Sequence, residues 1–439
     1  MNNFPRYESY KDSGVDWLGK IPEHWEAVSL GSLMELKSDK NHPEFEVLSV
    51  YREYGVIKKD SRDDNHNATS LDTTTYKAVE PGDLVVNKMK AWQGSMGISS
   101  YKGIVSPAYI TCKITAKKVH SEYLHRLLRS NSYIGEYNRI SYGVRIGQWD
   151  MHYEDFKRVT VVLPPKEEQA AIAEFLDRKT AQIDQAIAQK EKLIELLQER
   201  RQILIHNAVT RGLNPNVKMK HSGVDWLGEI PDHWEVEKGK WLFQQMKRPV
   251  RTEDEIVTCF RDGVVTLRAN RRTEGFTNAL QEHGYQGIRK GDLVIHNMDA
   301  FAGAIGVSDS DGKSTPVYSV CVPKDSKKVN SYFFALLLRK LAKDGFIESL
   351  AKGIRERSTD FRFNDFANLM FSVPSLTEQN EIVIYCREIS QKIETAISFK
   401  QKEIEKLKEY KAVLINSAVT GKIEVCGNSQ NAEMKMNYA

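Results

Sequence analysis

The chain has 439 residues, with 63 Lys and Arg against 59 Asp and Glu, and a formal net charge of +4. At roughly 100 to 200 residues per domain, this length predicts about two to four domains and excludes a single small one. A charged fraction of 28% and a hydrophobic fraction of 41% exclude wholesale disorder and a fibrous chain. The sequence shows neither a long apolar run nor a signal-peptide-like start, which predicts a cytoplasmic protein with no membrane partner.

The first recognisable element is the segment SGVDWLGKIPEHWE at 13–26, which returns at 222–235 as SGVDWLGEIPDHWE. Twelve of the fourteen positions are identical, at an offset of 209 that becomes 210 further along each copy. This period is far longer than that of solenoid or propeller repeats, so the sequence predicts a duplicated domain. Four of the seven tryptophans lie in the two segments. We expect them to pack the start of each copy against a helix end; contact with a partner protein is the alternative.

Each copy continues in a module, over residues 27–163 and 236–373. Short apolar runs such as Phe45–Val50, Leu84–Asn87 and Ile104–Ile114 predict strands between glycine-containing turns. One helix is predicted in each module, over Ser121–Ser130 and Ser331–Ala342. The pattern predicts an α/β (α+β) fold with a mixed or antiparallel sheet.

A long helix is predicted after each module. Residues 166–209 contain neither Gly nor Pro, which permits one helix of about 44 residues. Apolar residues recur there with the 4,3 spacing of a heptad seam, and the second copy repeats them. The seam comprises Ile183, Ile187, Ile194, Leu197 and Leu204 in the first helix, and Ile393, Ile397, Ile404, Leu407 and Leu414 in the second. The matched seams predict that the two helices pack on each other, the alternative being that each covers its own module. Basic residues interrupt both seams, at Lys190 and Arg201 and at Lys400 and Lys411.

The residues that carry chemistry in enzymes do not form a recognisable motif. The glycines of Gly306 and Gly312-Lys313-Ser314 are separated by five residues, where a phosphate-binding loop requires four. The cysteines, Cys112, Cys259, Cys321, Cys386 and Cys426, are odd in number and far apart, which predicts packed thiols rather than disulfides or a metal site. The sequence therefore predicts a binding protein with no catalytic residue, metal or cofactor of its own.

The distribution of charge favours DNA as the ligand. Residues 27–163 carry a net charge of +3 and residues 236–373 carry +5, whereas the long helices are nearly neutral. Arg, Lys, Asn and Gln contact phosphates and base edges in protein–DNA complexes. The candidate DNA-binding residues are Arg52, Lys58, Lys59, Lys88, Lys90, Trp92, Gln93, Ser95, Arg145, Gln148, Arg261, Arg268, Asn270, Arg271, Arg272, Asn297, Arg355 and Arg357. Arg145 in the first copy and Arg355 in the second each stand two residues after a flexible glycine, although a surface turn explains the same pattern.

These elements together resemble the specificity subunit of type I restriction-modification enzymes. The resemblance rests on the duplicated tryptophan segments, on the helix entries LPPKEEQ at 163–169 and VPSLTEQ at 373–379, and on the alternation of module and helix. It covers nearly the whole chain. It implies two target recognition domains separated by two long helices in an antiparallel coiled coil, with pseudo-twofold internal duplication.

The resemblance also implies how the protein acts. Each recognition domain would read one half of a bipartite, asymmetric target in double-stranded DNA, and the helices would set the length of the spacer. Two modification subunits would bind S-adenosylmethionine and methylate adenine, and restriction subunits would cleave with ATP and Mg²⁺. Two other classes remain open, namely a scaffold without a DNA role and a stand-alone enzyme.

The resemblance and the repeat together predict the domain bounds. We expect recognition domains at 1–163 and 212–373, long helices at 164–211 and 374–425, and a disordered tail at 426–439.

Overall fold

The computed structural model describes residues 4–61, 69–70, 72–145, 148–271, 283–350 and 360–425, with residues 144, 145 and 148 described by their backbone alone. The chain folds as two compact units, Met1–Glu191 with Gln401–Ala439, and Lys192–Lys400. Each unit thus contains one module and a part of each long helix. The predicted tail and Cys426 lie outside the described residues.

The first unit combines strands with three short helices, the start of the first long helix and the end of the second. Its strands are β1 (Tyr10–Asp12), β2 (Lys20–Pro22), β3 (Glu26–Ser29), β4 (Met34–Leu36), β5 (Leu48–Tyr51), β6 (Gly55–Lys58), β7 (Lys77–Val79), β8 (Leu84–Asn87), β9 (Met96–Ile98), β10 (Gly103–Val105), β11 (Tyr109–Ile114), β12 (Tyr142–Arg145), β13 (Gln148–Asp150) and β14 (Thr160–Leu163). Its helices are α1 (Ser121–Leu128), α2 (Asn131–Ile140), α3 (Tyr153–Phe156) and the start of α4 (Lys166–Arg211). The central sheet has the order β4-β11-β8-β9. The other strands form separate two-stranded sheets, namely β1-β2, β3-β14, β5-β6, β7-β10 and β12-β13.

The second unit repeats this plan. Its strands are β15 (Met219–His221), β16 (Glu229–Pro231), β17 (Glu235–Lys238), β18 (Phe243–Gln245), β19 (Val257–Cys259), β20 (Val265–Leu267), β21 (Gln286–Ile288), β22 (Leu293–His296), β23 (Ile305–Val307), β24 (Gly312–Ser314), β25 (Tyr318–Pro323) and β26 (Met370–Val373). Its helices are α5 (Gly239–Leu242), α6 (Ser331–Lys343), α7 (Phe346–Leu350), α8 (Phe363–Asn368), the end of α4 and the start of α9 (Leu376–Val419). The central sheet has the equivalent order β18-β25-β22-β23. Its ladders are antiparallel, which confirms the α+β prediction.

The sheet of the second unit is buried on both faces. Side chains alternate between the faces of a strand, so neighbours on β22 enter different cores. Leu293 and Ile295 join a core with Phe333 and Phe334 of α6. Val294 points the other way, into a core with Val257 and other residues of β19 and β20. This double burial explains the uninterrupted apolar run that the sequence shows there.

The tryptophan segments pack against the long helices as predicted. Trp25 is fully buried and donates its indole N–H to Glu168 in the first turn of α4 at 3.1 Å. In the second unit Trp234 donates in the same way to Glu378 at the start of α9, at 3.0 Å. His24 lies 2.8 Å from Glu168 and His233 lies 2.9 Å from Glu378. The near-identity of the two segments thus reflects the same packing in each unit.

The long helices confirm the predicted seams. Each of α4 and α9 is continuous, with 46 and 44 residues. In the first unit Asp184 pairs with Lys411 at 2.6 Å and Lys190 pairs with Glu403 at 2.5 Å, so positions rise along α4 as they fall along α9 and the helices run antiparallel. The seam residues are buried or half-buried, among them Ile183, Ile187, Ile194, Leu197, Leu204, Ile393, Ile397, Ile404, Leu407 and Leu414.

The ion pairs explain the basic residues within the seam. Lys190 and Lys411 in the first unit pair with acidic residues of the opposite helix. In the second unit Arg201 pairs with Glu394 at 3.0 Å. A charged group at a seam position is tolerated when its head reaches a partner at the rim.

Two features differ from the sequence-based expectation. The run Ile104–Ile114 is divided into β10 and β11, because Pro107 lies in a turn between them and each strand pairs with a different neighbour. The expected helix Ser121–Ser130 ends at Leu128 and is followed by α2, which the sequence did not predict. Asn131–Ile140 contains Gly135 and several residues of low helix propensity. Its burial against the 3-10 turn at Ala91–Gln93 and the core, through Tyr133 and Tyr137, stabilises it instead.

Four of the five cysteines lie among the described residues, and all four are buried free thiols. Burial raises the pKa of Cys112 to about 12 and that of Cys386 to about 11, so both are protonated at neutral pH. This agrees with the predicted packed thiols.

Candidate nucleic-acid interface

A cleft of about 1150 Å³ opens in the second unit at one end of its central sheet. Five segments that are distant in sequence form its walls. They are the end of β18 with the chain up to Pro249, residues 284–286 at the start of β21, the turn after β22, the start of β25 with the residues before it, and the first turn of α8 with the residues before it. Strand order explains this meeting point, because β18, β25 and β22 are neighbours in the sheet.

The rim of the cleft is basic and polar. Lys247, Arg248 and Arg362 contribute positive charge, and Asp360 contributes the negative charge. Gln245, Asn297 and Asn364 add amide groups, which can both donate and accept hydrogen bonds. This mixture of cations and amides suits a phosphate backbone together with base edges.

Arg248 is fixed by a buried carboxylate. Its guanidinium forms a two-armed ion pair with Asp292, which is 4% exposed, with one arm at 3.1 Å. The first unit has the analogous pair of Lys37 with buried Asp83 at 2.6 Å. Because Asp292 neutralises Arg248 and Asp360 forms an ion pair with Arg362, the uncompensated charge of the cleft comes mainly from the exposed Lys247.

Asn297 and Met298 follow the central strand β22 directly. The Asn297 carboxamide oxygen accepts a hydrogen bond from the Ser319 hydroxyl at 2.8 Å, which leaves its NH₂ group as the donor end. Met298 is 48% exposed at the cleft. Its equivalent in the first unit, Met89, follows β8 and is 54% exposed. Half-exposed methionines therefore stand at the same position in both units.

The floor of the cleft is uncharged at neutral pH. Tyr318 lines it, and burial raises the pKa of this tyrosine to about 12. The ring of His296 meets the Tyr318 ring edge-on at 4.7 Å, and burial lowers the pKa of His296. Positive charge is thus concentrated at the rim, where it can meet phosphates.

In the first unit the structure brings several predicted residues together around the 3-10 turn Ala91–Gln93. Lys88 forms an ion pair with Asp150 at 3.1 Å, and Lys90 is exposed. The Trp92 ring packs against Trp149 at 5.1 Å, and its indole N–H donates to Met89 O at 3.2 Å. Gln93 is half-buried beside Trp92.

Ser95 does not share this accessible surface. It is 3% exposed, and its backbone continues the turn into β9. A serine hydroxyl buried in this way is not presented to a ligand, so we leave Ser95 out of the proposed surface.

Three other first-unit candidates lie on the β5–β6 hairpin. Arg52 is in its exposed turn, and its carbonyl accepts a hydrogen bond from Arg129 at 2.7 Å. Lys58 pairs with Glu46 at 2.8 Å, and Lys59 donates to the Thr69 hydroxyl.

The remaining described candidates of the second unit lie around the β19–β20 hairpin and not in the cleft. Arg261 pairs with Asp299 at 2.8 Å. Arg271 pairs with Asp262, and this hydrogen bond lowers the pKa of Asp262. The two other members, Arg268 and Asn270, lie within hydrogen-bond distance of the hydroxyls of Thr258 and Thr266, at 3.4 and 2.9 Å.

Five candidates cannot be placed by their side chains. Arg272, Arg355 and Arg357 lie outside the described residues, and Arg145 and Gln148 are described by their backbone alone. The β12–β13 ladder pairs Arg145 with Gln148. DNA contact by these residues stays a prediction.

The cleft also contains residues that sequence reasoning missed. Only Asn297 of the predicted set lines it, whereas Gln245, Lys247, Arg248, Met298, Arg362 and Asn364 were not predicted. The basic run Lys247-Arg248 was a usable signal, because it follows a short strand and precedes a proline. Arg362 and Asn364 had no local signal, since only the fold brings α8 to the sheet.

Within the described ranges, no group of three or more His, Cys, Asp or Glu side chains is arranged to hold a metal ion. In the same ranges, no helix combines the length and apolar character needed to cross a membrane.

Comparison with known proteins identifies relatives of the chain. Residues 22–196 match the family described as "Type I restriction modification DNA specificity domain". The chain is 25% identical over 425 residues to the type I restriction enzyme MjaVIII specificity subunit of Methanocaldococcus jannaschii, covering 92% of this chain and 94% of that protein. It is 21% identical over 390 residues to the StySPI specificity subunit of Salmonella potsdam, covering 83% and 82%.

Solved structures share the fold. A chain from a study of assembly and conformational transition of the type I R-M system aligns with a TM-score of 0.65 at 15% identity, covering 91% of this chain and 98% of that one. The HsdS subunit of Thermoanaerobacter tengcongensis aligns with a TM-score of 0.54 at 17% identity, covering 92% and 98%. With the duplicated modules and the paired long helices, these matches make the chain similar, along most of its length, to the DNA specificity subunits of type I restriction-modification systems.

Proposed function

We propose that this subunit recognises a bipartite, asymmetric target in double-stranded DNA, with one half-site for each module. The single observation that carries the proposal is the basic, amide-lined cleft of the second unit, with Lys247 and Arg362 at its rim and Asn297 held beside them. The cations would contact phosphates, and Asn297 would donate its NH₂ group to a base edge. The first unit would use Lys88, Lys90 and Trp92 at the equivalent turn.

The asymmetry of the target follows from the different chemistry of the two turns. The positions equivalent to Lys88, Lys90 and Trp92 are occupied by Asn297, Asp299 and Phe301. A cation and an amide at one position favour different bases, since Lys pairs with guanine acceptors and Asn with adenine. Two modules with unlike contacts would therefore read two unlike half-sites.

The long helices would set the spacer between the half-sites. This role is supported by the unbroken length of the helices, with 46 residues in α4 and 44 in α9, and by the matched seams and ion pairs between them. At 1.5 Å per residue, an uninterrupted helix holds its length far better than a flexible linker.

The chain would act with partner subunits and would not be catalytic itself. Two modification subunits would supply S-adenosylmethionine and methylate adenine, and restriction subunits would supply ATP- and Mg²⁺-dependent cleavage. A cytoplasmic location belongs to the same proposal, because the partners act on genomic DNA there.

DNA binding by the complex of this subunit with its modification subunits tests the proposal. The variant Lys247→Gln with Arg362→Gln should weaken binding and reduce the slope of log affinity against log salt by about 0.9 for each lost phosphate contact. Asn297→Ala should instead relax the base preference at one position of the second half-site, by about 1 to 3 kcal/mol of discrimination.

The matched control is Lys192→Gln with Lys218→Gln. These two side chains are 66% and 85% exposed in the same unit and do not line the cleft. Equal slopes in the control and the cleft variant would exclude the cleft as the DNA site. A complex without salt-dependent DNA binding would favour a scaffold, and turnover by the chain alone would favour an enzyme.

A further inference from the structure

A second cavity of about 640 Å³ lies in the second unit, and it shares no lining residue with the cleft described above. It is bounded by α6, by the second-unit parts of α4 and α9, and by the β19–β20 hairpin. Its walls carry four strong cations, Arg201, Arg339, Lys340 and Lys343, and three carboxylates, Asp262, Asp344 and Glu394. Cations therefore outnumber acids.

Each carboxylate already has a cationic partner. Glu394 pairs with Arg201 at 3.0 Å, and Asp344 pairs with Lys340 at 2.8 Å. Asp262 forms a two-armed ion pair with Arg271, in which Arg271 Nη1 lies 2.9 Å from Asp262 Oδ1. Among the described residues, these pairs leave the charges of Arg339 and Lys343 without a carboxylate of their own.

Arg339 is held in the wall with unused hydrogen-bonding capacity. Its guanidinium lies against Gly263, where a Cβ would come within 2.5 Å of the Arg339 Cζ, Nε and Nη1 atoms. Gly263 has φ +86°, so both its conformation and the close approach require glycine. Arg339 Nε is buried and has no hydrogen-bond acceptor within the described part of the chain.

Lys343 stands one helical turn from Arg339 on α6. Its ammonium group donates to the side-chain oxygen of Gln202, a neutral partner. Burial of Arg339 and partial burial of Lys343 lower the pKa of both groups, which reflects the cost of removing their charges from water, and the charges of Arg339 and Arg201 lower the pKa of Lys343 further. An anion between them would remove that cost.

The corresponding part of the first unit is less charged. Arg129, the equivalent of Arg339, donates to the Arg52 carbonyl at 2.7 Å. Helix α1 ends at Leu128, so the last turn of α6, which carries Lys340 and Lys343, extends beyond the end of its counterpart α1. Tyr133 packs against Trp17 as Phe346 packs against Trp226, so Tyr133 corresponds to Phe346. The duplicated fold therefore does not require these cations, which the last turn of α6 contributes in the second unit.

We propose that this cavity binds a phosphate group, with Arg339 and Lys343 as its ligands. Two cations separated by one helical turn suit the oxygens of a phosphate dianion, and the apolar side chains of Val264 and Leu336 flank them. The phosphate belongs either to a small phosphorylated molecule or to the DNA backbone. The inference does not depend on the DNA-binding role of the cleft.

Isothermal titration of the purified full chain with inorganic pyrophosphate at low salt tests the inference. One binding event is expected, and Arg339→Gln with Lys343→Gln should weaken it at least about tenfold, because two charge-assisted hydrogen bonds are lost. Lys343→Gln alone should give a smaller loss, and this exposed position carries little risk of misfolding. The control Lys192→Gln with Lys218→Gln should change affinity less than about twofold.

Absence of pyrophosphate binding by the folded wild-type chain would overturn the inference, as would equal losses in the cavity and control variants. Competition identifies the source of the phosphate. If duplex DNA displaces pyrophosphate from the wild-type chain, the cavity holds a backbone phosphate. If both bind together, it holds a small phosphorylated molecule. Both outcomes support a phosphate site, and neither uses the cleft variants that test DNA recognition.

Discussion

His125 in the first unit is a buried histidine surrounded by positive charge. Ile98 N–H donates to its Nδ1 at 3.1 Å, and Arg129 Nη1 lies 2.7 Å from its Nε2. Its ring lies against Gly55, which has φ +70° and where a Cβ would be 2.9 Å from Cε1. Burial, followed by the charge of Arg129, lowers the pKa of His125 to about 3 from an ordinary 6.5. The ring is therefore neutral in the folded protein at every physiological pH.

This histidine predicts a loss of stability in acid. Between pH 6.5 and about 3 the unfolded chain binds a proton at His125 that the folded chain does not, so stability falls as the pH is lowered through this window. The largest slope from one group is about 1.4 kcal/mol per pH unit. Thermal unfolding at pH 7 and at about pH 5 should show a smaller decrease in Tm for His125→Gln than for the wild type. Parallel decreases would contradict the assignment.

Met298 in the second unit has the properties of a residue that contacts a thymine methyl group. It is half-exposed in the cleft, next to Asn297, and Met89 has the same place in the first unit. An apolar side chain in the major groove distinguishes thymine by its methyl group. Burial of one methyl contributes about 0.8 kcal/mol, or roughly fourfold in affinity.

Replacement of thymine by deoxyuridine isolates this contact. Replacement of one thymine in the second half-site by deoxyuridine should lower the DNA affinity of the wild-type complex about fourfold. The same replacement should not change the DNA affinity of the Met298→Ala complex. Met89→Ala should act only on the first half-site, which makes each variant the control of the other. Specific binding with no thymine-dependent loss would show that Met298 does not read the base.

At the scale of elements, one carboxylate accepts several hydrogen bonds at the junction between each tryptophan segment and its long helix. Glu168 accepts hydrogen bonds from the Tyr7 hydroxyl at 2.7 Å and from the Trp25 indole at 3.1 Å, and it pairs with His24. All of these donors belong to the start of the first unit, whereas Glu168 belongs to α4. One carboxylate therefore joins the N-terminal segment to the helix.

Glu168→Ala should destabilise this junction by about 2 kcal/mol, because it leaves the buried Trp25 N–H without an acceptor. Urea unfolding of the full chain, followed by tryptophan fluorescence, measures the loss. The control is Glu167→Ala, which removes a neighbouring exposed carboxylate from the same helix turn. Similar midpoints for the two variants would show that the helix N-terminus, and not the bonding of Glu168, accounts for the effect.

The helices and strands also show which parts of the fold a sequence pattern is sufficient to predict. The Gly- and Pro-free run after residue 165 predicted α4 almost to its ends, because a long helix depends on local propensity and on a regular seam. The run Ile104–Ile114 was divided correctly only by the structure, because pairing with β7 and with β8 is decided by distant residues. Helix α2 likewise depends on burial of Tyr133 and Tyr137 by the rest of the unit.

At the scale of the whole molecule, the proposed spacing role of the helices has a direct test. Seven residues inserted within 190–199 of α4 and seven within 394–403 of α9 preserve both seams, because seven residues complete one heptad. Seven residues add about 10 Å, which corresponds to roughly three base pairs. We expect the methylated target to keep both half-sites and to gain a longer spacer.

Methylome sequencing of a host that carries the altered subunit gives the measurement. The control carries the same seven residues after residue 439, outside the helices, and should keep the original spacer. An unchanged spacer in the helix variant, with methylation intact, would rule out the spacing role.

The sequence by itself determined the duplication, the two long helices with their matched seams, and the resemblance to the family that the comparisons match. These features are local or periodic, so they remain visible along a single chain. Only the tertiary structure decided which polar residues share a surface. The cleft takes residues from positions 245 to 364, and the second cavity joins the hairpin turn at Gly263 with α6 and both long helices. The physical reason is that strand pairing and helix packing bring distant residues together, whereas sequence motifs detect neighbours.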